Sequence, residues 1–83
     1  MINILYFAAL REALGLADET LSSSHFKTVN CLINKLAERG EMWTTVLQHN
    51  NNLQIAVNQT ISDRNTELKS GDEIAFFPPV TGG

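Results

Sequence analysis

Thr28-Val29-Asn30-Cys31-Leu32-Ile33-Asn34-Lys35-Leu36-Ala37-Glu38-Arg39-Gly40 is the stretch on which the fold turns. Val29, Leu32, Ile33 and Leu36 recur at i, i+3, i+4 and i+7, which places them on one face of a helix. Thr28 is a good N-cap, because its hydroxyl can accept from a free first-turn N–H, and Gly40 is placed to end the helix. A single apolar stripe of this kind covers one face of one small sheet. The segments on either side supply the strands. Ile2–Ala8 and Glu73–Phe77 are β-branched and aromatic, and Leu53–Asn58 alternates Leu53, Ile55 and Val57 against Gln54, Ala56 and Asn58. Glu19–Ser24 alternates weakly and reads as a second, antiparallel strand. Asn58–Asn65 is turn-rich with a short strand around Ile61.

Shorter features complete the order. Ala8–Leu14 is rich in helix formers, with Gly15 where a C-cap glycine belongs. Trp43, Val46 and Leu47 continue an apolar face in a second short helical piece, Trp43–Gln48, and His49–Asn52 is a polar loop. Glu41 and Asp63 read as loop residues. Ser70-Gly71-Asp72 is a tight turn in which Gly71 takes a positive φ. The expected fold is therefore α+β: a mixed sheet packed against one main helix, over residues 1–77, with 78–83 as an extended tail.

Composition bounds what such a domain can do. Its 83 residues make one domain that buries roughly 63% of its unfolded surface, a modest core without room for a deep active-site cavity. Hydrophobic content of 43% argues against disorder. No apolar run approaches the ~20 residues that span a bilayer, and the first cation, Arg11, follows the apolar opening where a secretory signal needs it to precede. A cytoplasmic chain is expected. The net charge of −3 disfavours nucleic acid, and one cysteine makes no disulfide framework.

Strand parity raises a question of partners. Residues two apart share a face, so Ile2, Ile4 and Tyr6 oppose Leu5 and Phe7, and Ile74 and Phe76 oppose Ala75 and Phe77. The neighbours Phe76 and Phe77 cannot both face the helix. Leu5, Phe7, Ile61 and Phe77 then form an apolar patch on the other sheet face, which on so small a domain points to a protein partner. The bland alternative is that the two short helices cover that face.

Side-chain chemistry is sparse. Cys31 falls on the polar side of the helix near Lys35 and Glu38, with no base nearby in sequence, and reads as an incidental surface thiol. His25 and His49 lack metal-ligand spacing to each other or to a carboxylate, so no metal site is expected. The nine carboxylates are scattered, with no pair placed for acid–base work, and neither standard phosphate loop is present. What remains is the tail, Pro78-Pro79-Val80-Thr81-Gly82-Gly83. Two prolines direct it away from the domain, and six residues reach at most roughly 20 Å. Gly82 and Gly83 can thread a narrow channel, and no β-carbon hinders attack at the Gly83 carboxylate. That pattern fits a chain whose terminal carboxylate is itself the substrate of another enzyme.

The ending from Gly71 to Gly83, with Phe7-Ala8-Ala9-Leu10-Arg11-Glu12, the helix from Thr28 and Ala56-Val57-Asn58-Gln59, closely resembles the MoaD-type sulfur carriers, the small subunits of molybdopterin synthase. The resemblance implies a ubiquitin-like β-grasp fold and no catalytic side chains. It implies that an E1-like enzyme adenylates Gly83 with ATP, and that a sulfur donor then makes a C-terminal thiocarboxylate. Pro78, Pro79, Val80, Thr81 and Gly82 would carry that group into the large synthase subunit, for transfer to cyclic pyranopterin monophosphate in molybdenum cofactor biosynthesis. Phe7, Ile61 and Phe77 would dock on the large subunit in a heterotetramer of two plus two, and Arg11 and the Gly71–Asp72 turn would touch a partner. No cofactor bound by the chain itself is implied. The alternatives are a carrier for thiamine thiazole synthesis, whose members are usually shorter and lack the proline pair, a lysine-conjugated modifier, and a non-catalytic ubiquitin-like interaction module.

Overall fold

The computed structural model describes residues 1–22 and 26–79. The described strands are β1 (Ile2–Tyr6), β2 (Asp18–Leu21), β3 (Gln54–Val57), β4 (Thr60–Ser62) and β5 (Glu73–Phe77). They form one mixed sheet in the order β2-β1-β5-β3-β4. β1 runs parallel to β5 at its centre, and every other neighbouring pair is antiparallel. The parallel pair requires a crossover, and α2 (Val29–Ala37) supplies it. This is the α+β roll expected from the order of elements, with the β-grasp topology that the resemblance implies.

The sheet's inner face meets α2 as the periodicity demands. Val29, Leu32, Ile33 and Leu36 are buried against Ile2, Ile4, Tyr6, Ile74 and Phe76 in one core cluster. Thr28 caps the helix, accepting from the Cys31 N–H at 3.2 Å. The helix stops at Ala37, three residues before Gly40. Gly40 instead precedes a second helical segment, α3 (Glu41–Trp43), which runs directly into a π-helical turn, Thr44–Gln48. Glu41, expected in a loop, is therefore the first residue of α3. The Thr44 hydroxyl explains the short α2: it donates to the carbonyls of Ala37 and Gly40 and so ties the two helices at their junction. Arg64 closes the π turn by donating to the carbonyls of Leu47 and Asn50 at 2.8 and 2.9 Å.

Other boundaries shift by one or two residues. The second strand is Asp18–Leu21, earlier than the expected Glu19–Ser24, and Ser23 and Ser24 lie outside the described residues. The third strand ends at Val57 because Asn58 and Gln59 both take positive φ (52° and 68°), the paired left-handed geometry of a two-residue hairpin loop. Asn58 is locked there: its N–H donates to the Glu73 carbonyl, its Oδ1 accepts from the Glu73 N–H, and its amide donates to Asp72. Gly71 takes a φ of 92° in the turn before β5, as expected.

Candidate functional site: the open sheet face and the root of the tail

The two short helices do not cover the outer sheet face. α1 (Ala9–Leu14) buries Leu10, and the π turn buries Leu47, in the same cluster as Ile4 and Tyr6. Trp43 meets Tyr6 edge-on at 5.7 Å between ring centroids, so α3 also packs on the α2 side. All the described helices thus stand on one side of the sheet, and the parity of the strands decides what the other side carries.

Phe76 is fully buried and stacks on Tyr6 at 6.0 Å, whereas Phe77 points the opposite way and is half-buried. Register aligns the outer residues across four strands. Leu5 pairs with Ala75, Ala75 with Ala56, and Ala56 with Ile61, so one continuous apolar row crosses the sheet. Ile61 is 68% exposed and Phe7 45% exposed. Ala56 and Ala75 have no side chain beyond Cβ, so the row is low in the middle with larger groups at its ends. Parity alone identified Leu5, Phe7, Ile61 and Phe77; the part played by Ala56 and Ala75 needed the pairing register.

Phe7 is held at the end of the sheet from which the tail departs. Its N–H donates to the Phe76 carbonyl at 3.1 Å, and its carbonyl accepts from the Leu10 N–H at 3.1 Å. Ala8, expected inside the helix, instead precedes it with φ 53° and ψ −128°. A residue with a Cβ adopts that geometry at a cost of ~1–3 kcal/mol, which the two flanking hydrogen bonds oblige it to bear. The turn at Ala8 lets β1 end beside β5 and lets α1 fold back over the core while Phe7 stays outside. Gly15 then ends α1 in the left-handed region at φ 69°, as expected. Arg11 is exposed on α1.

At the root of the tail, Pro78 is half-buried and Pro79 exposed. Val80, Thr81, Gly82 and Gly83, and also His25, lie outside the described residues. His49 is exposed. Cys31 is exposed too; hydrogen bonds from the Thr28 hydroxyl and from the Thr28 backbone, with smaller contributions from Lys27, hold the thiol below its ordinary pKa. Among the described residues no three His, Cys, Asp or Glu side chains converge on a metal-sized point. No helix among them is long and apolar enough to cross a membrane.

One polar cluster escaped the sequence reading. Arg39 donates two bonds to Glu19 at 2.7 and 2.8 Å, Tyr6 donates to the same carboxylate at 2.8 Å, and the guanidinium lies 4.7 Å from the Trp43 ring. Burial raises the Glu19 carboxyl, but the Arg39 and Tyr6 hydrogen bonds and the Arg39 charge outweigh it and leave its pKa below the usual range. Burial, then the bond to Glu19, pushes the Tyr6 phenol far upward. The group fastens β1 and β2 to the end of α2 on the helix side of the sheet, away from Phe7 and Phe77. Its partners are 20 and 13 residues apart, so no local pattern could reveal it.

The sequence pattern of the ThiS family matches residues 4–83. The chain is 42% identical over 83 residues to the molybdopterin synthase sulfur carrier subunit of Haemophilus influenzae, with all of both chains covered. Its fold is similar to a putative molybdopterin converting factor subunit 1 from Pyrococcus furiosus (TM-score 0.78, 28% identity, 95% of this chain and 97% of that one). It is similar as well to a chain in the complex of subunits 1 and 2 of the molybdopterin-converting factor from Helicobacter pylori (TM-score 0.68, 26% identity, 99% and 97% covered).

Proposed function

The chain belongs to the ThiS family, and from that premise we propose that it is the sulfur carrier subunit of molybdopterin synthase. It is the sulfur-donating part of a sulfurtransferase complex and brings no catalytic side chain of its own. The single observation that carries this reading is the full-length likeness to a carrier of that name, with the match running through Gly82 and Gly83.

The chemistry follows from the terminal group. A carboxylate is a poor electrophile at neutral pH. ATP, used by an E1-like partner, converts the Gly83 carboxylate to an acyl-adenylate with release of pyrophosphate. Hydrosulfide released by a sulfur donor then attacks the carbonyl carbon through its sulfur, the acyl–phosphate bond breaks and AMP leaves, giving the thiocarboxylate. Sulfur held this way needs no cysteine. Transfer to cyclic pyranopterin monophosphate occurs in the large subunit, whose pocket Pro78, Pro79, Val80, Thr81 and Gly82 reach.

The open face supplies the docking surface. Phe7 and Phe77 stand where the tail begins, so a partner seated on the apolar row holds the tail's origin fixed. The tail then spans at most roughly 20 Å, and fixing one end confines the other to a small volume. Arg11, exposed on α1, and the Gly71–Asp72 turn are further partner contacts in this reading. In the assembly proposed, two carriers and two large subunits act together in the cytoplasm. The Helicobacter pylori relative is a subunit of a two-subunit complex, which supports a large-subunit partner.

Reconstitution tests the reading. The chain, an E1-like enzyme, ATP and a sulfur donor are incubated, and the large subunit and cyclic pyranopterin monophosphate are added. Dithiolene product is expected with the full chain and none with a chain lacking Gly82 and Gly83. Equal product from the truncated chain refutes it.

A further inference from the structure

Charge is distributed unevenly between the two sides of the sheet. None of the six Lys and Arg residues lies in a strand. Lys35 lies in the last turn of α2 and Arg39 just beyond its end, Arg64 is engaged with the Leu47 and Asn50 carbonyls, and Arg11, Lys27 and Lys69 lie in α1 or in connecting segments. The strands carry three acids. Glu19 pairs with Ile4, faces inward and is taken up by Arg39; Asp18 pairs with Leu5 and Glu73 with Asn3, so both face outward with the apolar row. Neither outward carboxylate takes part in an ion pair among the described residues.

From this arrangement we infer that the open face selects and orients its protein partner by charge as well as by apolar contact: the partner presents an apolar patch where the tail enters and basic side chains around the other end. The inference rests on the docking reading proposed above. Phe7 and Phe77 mark the apolar end, beside the tail. Glu73 marks the other, in a shallow polar depression with Asn3, Asn58, Gln59 and Gly71, and Asp18 flanks the row at the β2 edge. Strand and residue spacings put the Asp18 and Glu73 Cα atoms about 12 Å apart. Two like charges at that separation, with no cation in any strand and the Met1 ammonium engaged by the Ser70 hydroxyl, bias the open face toward negative potential. A partner approaching with its basic rim reversed meets the Phe7 and Phe77 end of the face and loses both attractions. Charge of this kind acts chiefly on the rate and orientation of encounter, whereas the apolar contacts set how long the complex lasts.

The experiment measures association with the purified large subunit by stopped-flow fluorescence at 50 and 300 mM NaCl. The variants are the double substitution Asp18→Asn/Glu73→Gln, a charge-matched control Glu41→Gln/Glu67→Gln on the helix side, and Phe77→Ala. Both members of each double substitution are solvent-facing, and circular dichroism checks that each variant is folded. The Asp18/Glu73 variant is expected to associate about fivefold more slowly at low salt, with most of the salt dependence gone and the dissociation rate little changed. The control should associate like the parent, although its net charge changes equally. Phe77→Ala should raise the dissociation rate. Parent-like association and salt dependence in the Asp18/Glu73 variant overturn the inference while a weakened Phe77→Ala leaves the docking reading intact. Equal slowing in the control also overturns it, because the effect is then one of net charge. If the parent does not bind, or Phe77→Ala binds as the parent does, the docking reading fails and the inference with it.

Discussion

Phe76 and Phe77 are adjacent, chemically identical and assigned opposite tasks, so truncating each in turn separates folding from docking. Phe76 is fully buried between Tyr6 and the α2 stripe. Removing a buried phenyl costs ~3–5 kcal/mol, while a chain of this length has ~4–12 kcal/mol of total stability. With an unfolding entropy of ~2.1 cal/mol/K per residue, that loss lowers Tm by roughly 17–29 °C. Phe77 is half-buried on the open face, so Phe77→Ala leaves no enclosed cavity and costs ~1 kcal/mol, or about 6 °C. At the interface the order reverses. An aromatic anchor in a docking surface is worth ~2 kcal/mol or more, a loss of about 30-fold in affinity for the large subunit. The assays are thermal unfolding followed by far-ultraviolet circular dichroism and titration calorimetry with the large subunit. Equal melting of the two variants, or parent-like binding by a folded Phe77→Ala, refutes the assignment of the two faces.

The remaining expectations touch other parts of the molecule. Glu19 has a lowered pKa in the fold, so its contribution is present above the unfolded value near ~4.3 and is lost as pH falls through the folded one; urea unfolding between pH 6 and 3 should decline less steeply in Glu19→Gln. Gln59→Gly should stabilise the hairpin by ~0.5–1 kcal/mol, read as a higher urea midpoint, because glycine adopts a φ of 68° without strain. Cys31→Ser should transfer sulfur at the parent rate, and a substantial loss would revive the thiol as the carrier group. Gly83→Ala, or one residue added after Gly83, should melt like the parent yet transfer no sulfur; normal transfer by either contradicts the terminal mechanism.

What the sequence made legible was whatever depends on periodicity. The spacing of Val29, Leu32, Ile33 and Leu36 gave α2 its buried face, and period-two parity sorted Phe76 from Phe77 before any pairing was known. The details it hid are those set by distant partners or by backbone angles. The Glu19–Arg39–Tyr6 cluster joins residues that only the folded sheet brings together. The short α2 reflects the Thr44 hydroxyl, which reaches back across the junction to Ala37. Ala8 has strong helix propensity, yet the hydrogen bonds on either side of Phe7 force it to positive φ. Ala56 and Ala75 gave no local sign of a surface role, since a small residue marks a docking row only when register places it between Leu5 and Ile61.

The central claim is that Gly83 carries the sulfur. Its most direct test is the mass of the C-terminal peptide after incubation with ATP, a sulfur source and the E1-like enzyme, followed by a thiol-reactive alkylating tag. The tag is needed because methionine oxidation adds nearly the same mass as replacing oxygen with sulfur. A tagged thiocarboxylate on Gly83 that disappears when ATP is withheld is the expected result. An untagged carboxylate, from an enzyme shown to be active on another carrier, would contradict it and leave the chain as a docking module with an open apolar face.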